Sequence, residues 1–155
     1  MPSNIDARLH ELGITLPQAP APAANYVPFV QSGNLVFISG QISIDADGLI
    51  LGKLGESMSD PDGIAAARRC GMGLLAQLKA ACTGDLDRVK QVVKLGGFVN
   101  CTPDFTNHPA IINGCSDLMV EVFGTETGSH ARAAVGTASL PLGVAVEIEG
   151  IFEIA

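Results

Sequence analysis

Residues 144–154 read VAVEIEGIFEI, and this stretch decides the architecture. In a strand, successive side chains point to opposite faces. Val144, Val146, Ile148, Phe152 and Ile154 then share one face, with Ala145, Glu147, Glu149, Ile151 and Glu153 on the other. The apolar face suits packing helices. The carboxylate face cannot pack against them, so it must meet solvent, a ligand or another copy of the chain.

Working backwards, Leu140-Pro141-Leu142-Gly143 joins this strand to another at Ala131–Ser139. A helix is expected from about Pro109 to Phe123, after a loop at Pro103–Pro109. A strongly apolar strand spans Val89–Val99, with a bend or bulge expected at Gly96-Gly97. The motif Asp60-Pro61-Asp62-Gly63 opens a long helix reaching about Cys82, with Asp60 as N-cap and Pro61 in the first helical position. Ile64, Ala67, Gly71, Leu74, Leu75, Leu78 and Ala81 form its apolar stripe, and Gly84 closes it.

Nearer the start, Tyr26–Gln31 and Leu35–Ile44 read as a hairpin turned by Gly33-Asn34. Asp47-Gly48 leads to a short strand at Leu49–Leu51. A first helix capped by Ser3 or Asn4 carries Ile5, Leu9 and Leu12 and ends at Gly13. The Pro- and Ala-rich stretch Leu16–Ala24 is expected to run extended. Residues 1–23 thus form a helix and arm, and residues 24–155 a single domain. The order ββ(β)αβαββ predicts an α+β fold: a mixed β-sheet with two helices packed on one face.

The 155 residues suit one domain, 47% of them are hydrophobic and only 16% are charged. So few charges make burial of apolar surface against other chains plausible. The net charge of −7, with nine Lys and Arg residues, no Trp and one Tyr, argues against nucleic acid as a partner. Cys70, Cys82, Cys101 and Cys115 form no CxxC pair, and His10, His108 and His130 lack metal-ligand spacing, so no metal site is expected. Neither a phosphate loop nor a dinucleotide fingerprint is present, and no cofactor is expected. The first residues lack the pattern of a signal peptide and no apolar run is long enough to span a membrane. A cytoplasmic protein with reduced thiols is the expectation.

After Lys94 the only cation is Arg132, among seven acidic residues. It shares a strand face with the small Ala134 and Gly136, which leaves room beside the guanidinium for a flat anion. Guanidinium pairs bidentately with carboxylate; a structural salt bridge to a glutamate on the neighbouring strand is the alternative. Glu147 is either a water-polarising acid or base or a solvated surface residue. Tyr26 is either a hydroxyl donor to a ligand or an amphipathic edge residue. The cysteines match no nucleophile motif, although His108 lies between Cys101 and Cys115 in sequence. His130 neighbours Arg132.

Four segments together resemble the RidA/YjgF family of reactive intermediate deaminases, also labelled L-PSP endoribonucleases. They are Ala24–Pro28, Gly33–Gln41 with its Ser39-Gly40-Gln41 strand end, Val93–Asn100, and Ala131-Arg132 through Leu140-Pro141 to Val146–Glu149. The chain is most similar to a longer branch with an N-terminal arm. The resemblance implies a chorismate-mutase-like fold and a homotrimer with clefts between subunits. It places Arg132 on the ligand carboxylate, Glu147 on the attacking water, and Tyr26 and Gly40 in the cleft, with Asn113 matching an asparagine of the second helix. Where family members often carry cysteine this chain has Ala134, which keeps the backbone N–H and lacks the thiol. The implied activity is hydrolysis of enamines or imines such as 2-aminoacrylate to 2-keto acids and ammonia. The alternatives are a non-catalytic binder of keto acids and other small carboxylates, the ribonuclease of the older label, which the charge balance disfavours, or a chorismate-mutase-type activity, against which the sparse basic residues argue.

Overall fold

The computed structural model describes residues 3–19 and 25–155. Residues 20–24, the second half of the expected arm, lie outside the described residues, and with them the boundary proposed at residue 23.

Ser3 caps the first helix, α1 (Asn4–Glu11), its hydroxyl accepting from the Asp6 N–H. Leu9 is buried, with Ile5 and Leu12 packed beside it. The helix is docked by Asp87, whose carboxylate accepts from the backbone N–H groups of Asn4 and Ile5 at 2.9 Å each. Lys79 adds an ion pair to Asp6 at 2.9 Å.

The hairpin consists of β1 (Phe29–Ser32) and β2 (Leu35–Ile42), turned at Gly33 with φ of 62°. Tyr26, expected inside the strand, precedes it. Pro28 has no N–H to offer a ladder, so regular pairing begins at Phe29. A two-residue ladder, β3 (Ile44–Asp45) with β4 (Gly48–Leu49), follows.

Helix α2 (Asp60–Ala81) is capped by Ser59 and not by Asp60; the Ser59 hydroxyl accepts from the Asp62 N–H at 3.3 Å. Ile64 of the expected stripe is exposed, while Gly63, Ala66 and Cys70 are buried. Small residues on this face let a second helix approach: a Cβ at Gly71 would lie 2.8 Å from Leu118 Cδ2 and 3.0 Å from Cys115 Sγ. That second helix is α3 (His108–Gly128), whose regular turns break at Gly124 (φ 81°, ψ 167°), one residue beyond the expected end at Phe123.

Between the helices runs β5 (Val89–Asn100). The bend expected at Gly96-Gly97 is absent, and the irregularities fall earlier, between Val89 and Gln91 and between Val92 and Lys94. The two glycines serve packing instead. A Cβ on Gly97 would lie 2.6 Å from Ile112 Cδ1 of α3, and one on Gly96 would lie 3.0 Å from Glu149 Oε1.

With β6 (Ala131–Thr137) and β7 (Val146–Ile154) the sheet has the order β1-β2-β7-β5-β6. It is mixed, because β6 runs parallel to β5 while the other pairs are antiparallel. Helices α2 and α3 cover one face, where Val36, Ile38, Leu95, Val99, Ile148 and Phe152 join the core. This is the α+β arrangement expected. The other face carries Val30, Phe37 and Val135, which are 54%, 42% and 46% exposed, around Lys94, Glu149 and Ile151. Val30 and Phe37 lie side by side in register on β1 and β2, and Val135 lies near the opposite edge, beside Phe98. Among the described residues no helix is long and apolar enough to cross a membrane.

Candidate functional site

Arg132 lies on β6, an outer strand, and its register opposite the buried Leu95 turns it to the helical side of the sheet. There Nη1 donates to Asn113 Oδ1 at 2.7 Å and to Ser116 Oγ at 3.2 Å. Asn113 and Ser116 are three residues apart, one above the other on α3, so both meet one guanidinium. Both partners are neutral. Among the described residues Arg132 has no ion-paired carboxylate, and neither Nε nor Nη2 has an acceptor. The salt bridge to a neighbouring strand is thereby corrected: that neighbour, β5, contains no glutamate.

Ser116 also lies 2.9 Å from His130 Nε2, and His130 Nδ1 is 2.6 Å from the Gly128 carbonyl. A carbonyl only accepts, so Nδ1 carries the proton. In the neutral ring Nε2 then accepts from the Ser116 hydroxyl, which itself accepts from Arg132. Ser116 went unread in the sequence. Its only signal is the three-residue step from Asn113, and the strand that supplies its partners arrives from beyond the end of the helix.

Glu147 occupies β7 and faces the open side of the sheet, in register with Phe98 of β5 and Ile42 of β2. The pairing of β2 with β7 slips between Ile38 and Gln41, so Ser39 and Gly40 form a bulge. A Cβ at Gly40 would lie 3.0 Å from Glu147 Cδ and Oε1, so glycine makes the space this carboxylate fills. Partial burial, and then the charge of Glu149 two residues along, push the Glu147 carboxyl above its ordinary range. Ser39 donates its hydroxyl to the Val27 carbonyl at 2.8 Å, which ties the segment after Tyr26 to the bulge. Tyr26 itself is 64% exposed.

The site residues therefore assemble as two groups. Arg132, Asn113 and Ala134 lie with α3 on the helical side, at the β6 edge. Tyr26, Gly40 and Glu147 belong to the other side of the molecule, on or beside β1, β2 and β7. Arg132 shares its face with Leu95 and Ile148, whereas Glu147 shares the opposite face with Phe98 and Val135. From the β7 of Glu147 to the β6 of Arg132 is two strand spacings, about 10 Å, and the two side chains leave the sheet on opposite faces. Within one chain the two groups do not converge. Among the described residues, no three His, Cys, Asp or Glu side chains gather as a metal site would require.

Known proteins share this architecture. A crystal structure of the Agrobacterium tumefaciens protein Atu1372, whose function is unknown, superposes with a TM-score of 0.90 at 46% identity, covering 97% of this chain and 92% of that one. The Trypanosoma cruzi protein TCP17 is 50% identical over 151 residues, 97% of this chain and 94% of that relative. A 2-iminobutanoate/2-iminopropanoate deaminase of Dermatophagoides farinae is 32% identical over 138 residues, 89% and 92% of the two chains. Residues 6–151 match the model of the YjgF/chorismate mutase-like proteins, a description that also carries an endoribonuclease label. With that match reaching from α1 into β7, through every strand described above, the chain belongs to the YjgF/RidA family.

Proposed function

We propose that this protein hydrolyses small imino acids of the 2-iminopropanoate type to 2-keto acids and ammonia, in clefts formed where copies of the chain meet. The observation that carries the reading is Arg132: a guanidinium held in place by neutral acceptors, with its Nε/Nη2 edge unengaged among the described residues. Such an edge matches a carboxylate bidentately. The deaminase from Dermatophagoides farinae adds weight, because its named substrates are 2-imino acids.

In this mechanism Arg132 grips the carboxylate and presents the C=N carbon, so the gain is one of orientation. Glu147 of a second copy takes a proton from water as the oxygen attacks that carbon. A carboxyl raised above its ordinary range is a stronger base for this step. Protonation of nitrogen and loss of ammonia leave the C=O of the keto acid. The open sheet face, with its exposed Val30, Phe37 and Val135, is the surface on which a homotrimer would assemble. The four unpaired cysteines suit a cytosolic setting.

Ammonia release from freshly generated 2-aminoacrylate tests the reading. Wild type should accelerate release. Arg132→Ala removes a charge-assisted pair, and a loss of about 2 kcal/mol corresponds to roughly thirtyfold in kcat/KM. Arg132→Lys should recover little of it, because an ammonium cannot make the two parallel bonds. Undiminished turnover by Arg132→Ala would defeat the assignment. The names of the relatives at 46% and 50% identity state no activity, which leaves one rival: capture of keto acids without turnover. Keto-acid binding lost in Arg132→Ala, with no ammonia released by wild type, would select that rival.

A further inference from the structure

Cys101 and His108 bracket the loop between β5 and α3. The loop folds back so that the Cys101 thiol lies 3.4 Å from His108 Nε2. The pair can close because β6 places no side chain against it. A Cβ at Gly136 would lie 2.6 Å from Cys101 Sγ and would collide with His108 Nε2. Phe105 meets the imidazole edge-on at a centroid distance of 5.5 Å and braces the ring. Cys101 and His108 border a cavity of about 650 Å3, within the range that accepts small molecules, together with Lys53, Glu56 and Thr102.

A thiol beside an imidazole ionises by passing its proton to nitrogen, and the thiolate is the nucleophile. Among the described residues the other cysteines have no imidazole partner; Cys101 is itself 6% exposed but lines the cavity. Burial pushes the thiols of Cys70, Cys82 and Cys115 upward, Cys115 to about 12. Lys53 supplies the second chemical clue. Its ammonium donates to Asn100 Oδ1 at 2.9 Å and to the Ala138 carbonyl at 2.5 Å, which leaves the third of its N–H donors for a ligand. Glu56, exposed, is the opposing charge at this cavity.

We propose that Cys101 and His108 form a nucleophilic thiol site, separate from Arg132, that takes small carboxylates bearing an electrophilic carbon and holds them as thioethers. With an α-halo acid the S–C bond forms as the C–halogen bond breaks. The halide leaves with the electron pair, and the thiol proton stays on His108. With an α,β-unsaturated acid sulfur bonds to the β carbon, and the displaced π pair takes the proton back from His108 at the α carbon.

Iodoacetate and its neutral counterpart iodoacetamide are suitable probes on the native protein, with peptide mass mapping to locate the adduct. Cys101 should be alkylated about tenfold or more faster than Cys70, Cys82 or Cys115. Relative to free cysteine, the site should favour iodoacetate. His108→Gln should slow both reagents about tenfold, since it removes the proton acceptor. Lys53→Met should abolish the preference for iodoacetate and leave the iodoacetamide rate in place. Labelling of Cys101 no faster than the other cysteines, or at an unchanged rate in His108→Gln, would overturn the nucleophilic pairing. An iodoacetate preference absent from wild type, or surviving Lys53→Met, would overturn the carboxylate assignment.

Discussion

At Gly97 a single methyl group measures how closely α3 lies on the sheet. With Ile112 Cδ1 2.6 Å and Cγ1 2.7 Å from the Cβ that alanine would bring, Gly97→Ala should cost about 1–3 kcal/mol. Ile112→Val in the same chain should return part of that loss in denaturant melts. Glu147 carries a prediction of a different kind. Its carboxyl is raised in the fold, so the folded state binds this proton more tightly than the unfolded chain does. The stabilising contribution is therefore complete below the unfolded-state value and is lost as pH rises through the folded one. Glu147→Gln should flatten that part of the stability–pH curve. Glu149 raises the Glu147 value, so in Glu149→Gln the acid limb of the kcat/KM profile should move to lower pH. Charge scarcity and alternation mark Arg132 in the sequence, and alternation gives Glu147 its face; the roles proposed for both come from the family resemblance. Ser116, and its contact with the His130 noted beside Arg132, were not legible, since that contact depends on where β6 enters beside α3. The pairing of Cys101 with His108 was hidden for a similar reason: the loop between them supplies no motif, and Gly136, which makes their approach feasible, is remote in sequence.

Elements were legible to the extent that their signals are local. The turn at Gly33 and the first helix were both written in glycines and caps. Of the details that went astray, two show the physical reason. Ser59 and Asp60 are both good N-caps, and nothing in the local sequence chooses between them. The Gly96-Gly97 pair resembles a break, yet it marks where Ile112 and Glu149 crowd the strand. The docking of α1 was also beyond reach, because its partner Asp87 lies over eighty residues away. Asp87→Ala strips the acceptor from two N–H groups and should weaken the helix by about 1 kcal/mol. Hydrogen exchange should then quicken across residues 4–12 while β5 and β7 keep their protection.

For the whole molecule the governing fact is that Arg132 and Glu147 face opposite sides of one sheet. If catalysis uses both, two copies must contribute. Co-refolding Arg132→Ala with Glu147→Gln should then raise deaminase activity above the residual level of either protein alone. Activity that stays at that level in the mixture, from two variants that each assemble, would exclude a shared site. No single-chain reading reaches this, because alternation gives the face of each residue but not the neighbour that completes it. The strand order has a consequence for synthesis as well. Strand β7, the last in the chain, occupies the centre of the sheet, between β2 and β5. Until the ribosome has released residues 146–154, β1-β2 and β5-β6 are two separate ribbons, each with a bare hydrogen-bonding edge awaiting the same partner. The nascent chain thus carries two adhesive borders until residues 146–154 emerge, and its vulnerability to misassociation ends in one step, when β7 slots between them.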